Sequence, residues 1–198
     1  YADAVATYLA LSSSKMTDYN SSLVIWSQSR DQAKATFARQ ALPMVWDFTE
    51  VNPFANAAGD LGVTSSGIAK TFAQGLPSFG EAQVKQLSAT EIKESKTFCI
   101  STDPPYYDNI GYADLSDFFY IWLRRSLAEH YSELFSTLLV PKAQELVATP
   151  YRFEGNKHAA KKFFEQGLQK VFVGLHNASV IGYPITIFYA FKQTEDTD

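Results

Sequence analysis

Apolar and polar residues follow two periodicities along this chain, and together they predict a mixed α/β protein. Apolar positions at helical spacing, separated by helix-forming residues, predict a series of helices. These helices are predicted at residues 2–13, 30–42, 65–74, 114–127 and 157–175. Short apolar or alternating runs predict strands, the first of which is equally compatible with a buried connector. They are predicted at residues 21–26, 82–87, 96–102 and 183–191.

The order of these elements predicts two parts. Residues 1–80 are expected to form a mainly helical segment with an aromatic and acidic loop at residues 46–54. Residues 81–198 contain strands separated by helices, which is the order of a crossover unit in a parallel sheet. The strands at about 97–102 and 184–191 are therefore predicted to be parallel neighbours.

The composition is that of a globular protein. Of the 198 residues, 46% are hydrophobic and 19% are charged, a balance that excludes a wholly disordered chain. The formal net charge of −4 argues against a protein that coats nucleic acid by electrostatics alone. No apolar run approaches the roughly 20 residues that span a bilayer. We therefore expect a cytoplasmic protein with no membrane partner.

Cysteine and histidine are sparse. The single cysteine, Cys99, excludes an internal disulfide framework. Because it lies within a predicted strand, it is expected to be a small buried hydrophobe. The three histidines, His130, His158 and His176, lack the spacing of metal ligands, so no metal site is predicted.

The sequence Asp103-Pro104-Pro105-Tyr106 follows the predicted strand at 96–102. Each proline fixes its own φ and biases the residue before it towards an extended conformation, so the four residues form a rigid tip. The tip is expected to present the Asp103 carboxylate, the Pro104 carbonyl and the Tyr106 ring to one space. Two hydrogen-bond acceptors and a flat ring suit a planar substrate that carries an exocyclic amino group.

These four residues resemble motif IV of the S-adenosylmethionine-dependent amino-methyltransferases. A wider block, residues 103–125, is similar to the central part of the prokaryotic adenine-specific DNA methylases that contain a zinc ribbon. Residues 46–54 and 183–193 resemble the same family. The resemblance implies an α/β fold with a partial Rossmann-like methyltransferase sheet beside the N-terminal helical segment. It also implies methyl transfer to the amino group of adenine in DNA.

The resemblance further implies roles for individual residues. Asp103 and Pro104 would bind the amino group of the base, Pro105 would keep the tip rigid, and Tyr106 would stack on a flipped base. Tyr107 and Asn109 are expected to contribute to substrate binding. Ser88 and Thr90 follow the predicted strand at 82–87, and ligands collect at the carboxyl ends of strands, so they are candidate cofactor contacts.

Two features of the family are not found in the sequence. The glycine-rich loop that binds the methionine end of S-adenosylmethionine is missing, and Gly59-Asp60-Leu61-Gly62 is the nearest glycine pair. The cysteine pairs of the zinc ribbon are also missing. The chain is therefore expected to be the central part of a larger enzyme, completed by an N-terminal cofactor-binding part or a partner chain. An unpaired strand edge would then favour self-association.

Two alternatives remain open. An RNA base or the amino group of cytosine is a possible substrate, although an aspartate at position 103 favours adenine over cytosine. The second alternative is a non-catalytic subunit that binds nucleic acid or assists assembly.

Overall fold

The computed structural model describes residues 1–75, 80, 82–92, 97–108 and 110–189. The chain divides into two compact units. The first contains Tyr1–Gln83 and Tyr112–Pro141, and the second contains Val84–Gly111 and Lys142–Asp198. Residues 112–141 thus belong with the N-terminal part, whereas the sequence had suggested one boundary after residue 80.

The first unit is built around three helices and a short hairpin. Its elements are α1 (Ala2–Thr17), β1 (Trp26–Ser27), β2 (Gln32–Ala33), α2 (Leu61–Ala73) and α3 (Tyr112–Leu127). Helix α1 packs against both α2 and α3, and β1 pairs with β2 in antiparallel fashion. Tyr8 of α1 contacts Phe72 of α2 edge to face, and the hydroxyls of Ser12 and Ser65 lie 3.0 Å apart between the same helices.

The amphipathic pattern of α3 explains its packing within this unit. Phe118 and Phe119 both contact Phe37, with ring centroids 5.1 Å apart in each case. Tyr120 is buried, and its hydroxyl donates a hydrogen bond of 2.9 Å to the carbonyl of Thr137. Loops of the same unit, together with α1, thus cover part of the helix, whereas Ile121 and Trp122 remain exposed.

The second unit holds a parallel strand pair and the longest helix. Its elements are β3 (Ser101–Thr102), α4 (Lys157–Ala178) and β4 (Thr186–Ile187), with 3₁₀ turns at Ala89–Glu91 and Pro150–Phe153. Strands β3 and β4 are parallel, with Ser101 opposite Thr186. A buried cluster joins α4 to the segment before it. Its residues are Ala148, Ala160 and Phe164, flanked by Leu146, Phe153 and Leu168.

Several sequence predictions are confirmed. Helices α1, α3 and α4 occur where helical periodicity placed them, and the predicted parallel pairing is the β3–β4 pair. Helix α2 begins at Leu61, four residues before the predicted start at residue 65, because Asp60 accepts a hydrogen bond from the Val63 amide and caps the helix. The protein is a mixed α/β structure that is mostly helical, and its described sheets have two strands each.

Other predictions are wrong. Residues 30–42 do not form a helix, because the chain turns back at Asp31 (φ 49°) and pairs β2 with β1. Residues 82–87 are irregular and exposed, since no described strand pairs with them. Cys99 is exposed rather than buried, because a sheet of two strands offers little cover to the side chains beside it.

Among the described residues, no helix is long and apolar enough to cross a membrane.

Candidate functional site

The Asp103–Tyr106 loop begins where the parallel strand pair ends. The amide of Thr186 donates to the Ile100 carbonyl (3.0 Å), and the amide of Phe188 donates to the Thr102 carbonyl (2.8 Å). The second bond ends at the residue immediately before Asp103. The loop therefore leaves the carboxyl end of β3, the edge at which ligands of parallel sheets usually bind.

Asp103 and Tyr106 are brought together by the turn between them. The Tyr106 hydroxyl donates a hydrogen bond of 3.0 Å to Oδ1 of Asp103. Asp103 is exposed and Tyr106 is half-buried. Within the described part of the chain, Oδ2 of Asp103 has no hydrogen-bond partner. One carboxylate oxygen is thus fixed by the protein, and the other faces solvent.

The two prolines fix the backbone of the loop. Pro104 is buried and Pro105 is half-buried, so the tip is anchored by packing as well as by its restricted φ angles. No described residue donates a hydrogen bond to the Pro104 carbonyl.

Tyr189 is a member of this site that the sequence did not reveal. Its ring contacts that of Tyr106 edge to face at 5.3 Å, and its hydroxyl accepts a hydrogen bond of 3.3 Å from the Tyr107 amide. The β3–β4 register explains the contact, because residues beyond Ile187 run alongside the loop that follows Thr102. Only the register, which periodicity does not give, would have identified this tyrosine.

Tyr107 is held by one contact of its backbone and one contact of its ring. Its carbonyl accepts a hydrogen bond of 2.7 Å from the Ala148 amide, and its ring meets Phe164 of α4 edge to face at 5.2 Å. The side chain remains 38% exposed, so it is still accessible to a ligand. Asn109, the other predicted substrate contact, lies outside the described residues.

An open apolar cleft of about 540 Å³ runs along α4. Its wall includes Phe164, Leu168, Phe172, Val173 and His176. Because Phe164 also contacts Tyr107, the cleft begins beside the residue that follows the loop. An aromatic ligand at the loop would therefore have apolar surface next to it.

Ser88 and Thr90 have a local structural role. The Ser88 side chain caps the 3₁₀ turn at Ala89–Glu91, and its oxygen lies 2.8 Å from the Thr90 hydroxyl. The strand that was to place them at a sheet edge does not form. The described geometry therefore gives no support for cofactor contact by Ser88 and Thr90, and their role as cofactor ligands stays a prediction.

The nearest glycine pair, Gly59 and Gly62, belongs to a helix cap. The Asp60 carboxylate accepts hydrogen bonds of 2.9 Å from the amides of Val63 and Asn56, and these bonds lower its pKa. A Cβ at Gly59 would lie 2.8 Å from the Cβ of Tyr19. This loop is filled by its own packing, and the described residues do not fit the methionine end of S-adenosylmethionine.

The described residues contain no group of histidine, cysteine and carboxylate side chains that could hold a metal ion.

Comparisons of the chain with family models, with curated proteins and with solved structures give no match. The chemistry of the Asp103–Tyr106 loop is therefore the main indication of function.

Proposed function

We propose that this protein acts in the cytoplasm on DNA, as an S-adenosylmethionine-dependent methyltransferase specific for the exocyclic amino group of adenine. One observation carries the proposal. The Asp103 carboxylate emerges at the carboxyl end of β3, with Oδ1 held by Tyr106 and Oδ2 open to a ligand. The proposal concerns the half of the site that binds the base, since the described residues do not form a cofactor loop.

The loop would orient the amino group of the base. The nitrogen lone pair of adenine is delocalised into the ring, which makes this nitrogen a poor nucleophile. Hydrogen bonds from its two N–H groups to Asp103 Oδ2 and to the Pro104 carbonyl would favour a pyramidal nitrogen whose lone pair points away from both acceptors. Positioning and electrostatic complementarity of this kind are the main contributions a protein makes to such a transfer.

The aromatic residues would hold a base that has left the double helix. Extruding a base from the duplex costs a few kcal/mol, and stacking on an aromatic ring offsets about 1–3 kcal/mol of that cost. Tyr106 supplies the ring beside Asp103, and Tyr189 supports it from β4. Tyr107 lies next along the chain with its ring partly exposed.

The fold supports the same proposal. Strands β3 and β4 are parallel and α4 lies between them in sequence, as in one crossover of a Rossmann-like methyltransferase sheet. We propose that the pair is part of such a sheet, whose remaining strands would come from another segment or from a partner chain.

Replacement of Asp103 tests the proposal. The full-length gene would be expressed in cells that lack DNA adenine methylation, and methylated nucleosides from digested DNA and RNA would be quantified by mass spectrometry. We expect N6-methyladenine in DNA with the unchanged gene. Asp103→Ala should lower it by about 100-fold, or about 2.7 kcal/mol of transition-state stabilisation.

Asp108→Ala is the matched control, since Asp108 is an exposed acid a few residues along the same segment. This variant should retain most of the activity. Methylated adenine in RNA or methylated cytosine would assign a different substrate to the loop. No methylated base, or an Asp103→Ala variant with over half the activity, would remove the loop from catalysis and favour a binding subunit.

A further inference from the structure

A second polar site lies in the first unit, in a cleft of about 680 Å³ beside the β1–β2 hairpin. Three basic residues, all of them exposed, are among those that line it: Arg30, Lys34 and Arg39. Three neutral polar side chains line it as well: Ser27, Ser29 and Gln32. We call this site the cationic cleft. Its volume is within the usual range for small-molecule sites.

Within the described part of the chain, no acidic side chain pairs with the basic residues of the cationic cleft. No acidic residue is among its described lining residues, and Arg30, Lys34 and Arg39 make no side-chain hydrogen bond or ion pair with any described residue. The nearby carboxylate of Asp18 already accepts a hydrogen bond of 3.1 Å from the Phe37 amide. Three basic residues thus border one cleft in a chain whose formal net charge is −4.

Hydrogen bonds connect the segment that carries the cleft to the rest of the unit. Lys34 donates its amide to the Ile25 carbonyl (2.9 Å), which extends the hairpin. Thr36 is almost fully buried, and its hydroxyl lies 2.6 Å from the Ser21 hydroxyl and 2.9 Å from the Asp18 carbonyl. Cations mounted on such a frame lose less conformational freedom on binding than cations on a free loop.

The remaining lining residues favour an organic ligand over a simple inorganic anion. The half-buried residue Tyr19 is among those that line the cleft, and its Cβ packs against Gly59. Four alanines complete the apolar part of the wall: Ala33, Ala35, Ala38 and Ala58. The cleft therefore combines a polycationic side with an apolar side that includes an aromatic ring.

We propose that the cationic cleft binds a phosphorylated small molecule of nucleotide size, such as a nucleoside di- or triphosphate. Guanidinium groups bind phosphate oxygens through paired, charge-assisted hydrogen bonds, and two of the three cations are arginines. The exposed Ser29, whose hydroxyl lies 3.4 Å from that of the buried Ser27, and the Gln32 amide offer further donors to phosphate. The Tyr19 ring and the alanine wall accommodate a flat base. This proposal is independent of the methyltransferase proposal.

Calorimetric titration of the intact chain with ATP, inorganic pyrophosphate and a short single-stranded oligonucleotide tests it. We expect saturable ATP binding with a dissociation constant at or below about 100 μM. ATP should bind more tightly than pyrophosphate, because only ATP reaches the apolar wall. Arg30→Ala and Arg39→Ala should each weaken ATP binding by at least about tenfold, the loss expected for one hydrogen bond between charged groups.

Arg125→Ala is the control, since Arg125 is an exposed cation of α3 outside the cleft lining. It should change ATP affinity by less than about twofold. The proposal is overturned by an absence of saturable ATP binding, or by equal losses in the three arginine variants. ATP binding no tighter than pyrophosphate would also overturn it, as would an oligonucleotide that binds more tightly than ATP with the same arginine dependence.

Discussion

At the scale of single residues, Tyr106 combines two contacts that substitution can separate. Its hydroxyl binds Asp103, and its ring is the proposed stacking surface for the base. Tyr106→Phe keeps the ring and loses the hydroxyl, whereas Tyr106→Ala loses both. If the ring stacks, the alanine variant should bind single-stranded oligoadenylate more weakly by about 1–3 kcal/mol, and the phenylalanine variant should lose much less.

Fluorescence anisotropy of a labelled oligonucleotide measures this difference. Equal affinity of the alanine and phenylalanine variants would show that the Tyr106 ring does not contact the base. Circular dichroism on both variants checks that the loop change leaves the fold intact.

Asp60 gives a residue-scale prediction about pH. It is buried, and hydrogen bonds from the Val63 and Asn56 amides lower its pKa below the ordinary value of 3.8. The unfolded chain therefore binds a proton here at a higher pH than the folded chain does. The stabilisation is complete above about pH 4 and is lost as the pH falls through the lower folded pKa.

Thermal unfolding between about pH 2 and pH 6 tests this behaviour. Asp60→Asn keeps an acceptor oxygen for the Val63 amide but cannot titrate, so its melting temperature should fall less steeply on acidification. Glu50→Gln is the control, since Glu50 is exposed and makes no hydrogen bond with the described residues. Parallel curves for Asp60→Asn and the unchanged protein would contradict the assignment.

At the scale of elements, replacing each of two glycines of α4 by alanine is expected to change the free energy of unfolding in opposite directions. A Cβ at Gly167 would meet the Leu146 side chain, with Cδ1 3.0 Å away and Cδ2 closer still, and Leu146 packs against the buried cluster. At Gly174 the nearest atoms belong to Ile92, at an ordinary 3.8 Å. Alanine is favoured over glycine in a helix by about 1 kcal/mol. The space around each glycine therefore decides whether the substitution raises or lowers the free energy of unfolding.

Gly174→Ala is therefore expected to raise the free energy of unfolding by up to about 1 kcal/mol. Gly167→Ala should lower it by about 1–2 kcal/mol, because overpacking outweighs the gain in helix propensity. Urea unfolding measures both. Stabilisation by both substitutions would mean that Leu146 moves aside without cost.

Long elements were predictable from the sequence because their periodicity is local. Helices α3 and α4 each carry an apolar stripe over four or more turns, which is enough to specify a helix. Residues 30–42 also contain apolar residues at helical spacing, yet they form a hairpin and turns. Their structure depends on Thr36, whose hydroxyl bonds to Asp18 far back in the sequence, and a local pattern cannot reveal that contact.

In the candidate site, too, features that depend on local sequence were predictable and contacts between distant residues were not. Asp103 to Tyr106 were identified from the sequence because a rigid loop after a strand is a local feature. Tyr189 was missed because its contact with Tyr106 depends on how β4 is aligned with β3. The cationic cleft was missed for a similar reason, since the predicted helix at 30–42 would have placed Arg39 on the face opposite Arg30.

At the scale of the whole molecule, the edge of β3 that pairs with no described strand is the feature with the clearest consequence. We call it the free edge. Hydrogen bonds at Phe98, Ile100 and Thr102 are directed towards α4 and β4. The alternation of a strand turns the amides of Cys99 and Ser101 to the opposite edge, where no described strand pairs with them. An unpaired edge is a template for another strand.

We therefore expect the chain to self-associate through this edge, with a dissociation constant at or below about 100 μM. Sedimentation velocity over a concentration series measures it, with a reductant present because Cys99 is exposed. Ser101→Pro removes an amide from the free edge and should weaken association, while Thr102→Pro removes one from the paired edge and should disrupt the β3–β4 pair. A chain that stays monomeric throughout, or associates equally well with Ser101→Pro, would show that this edge is not the contact between copies.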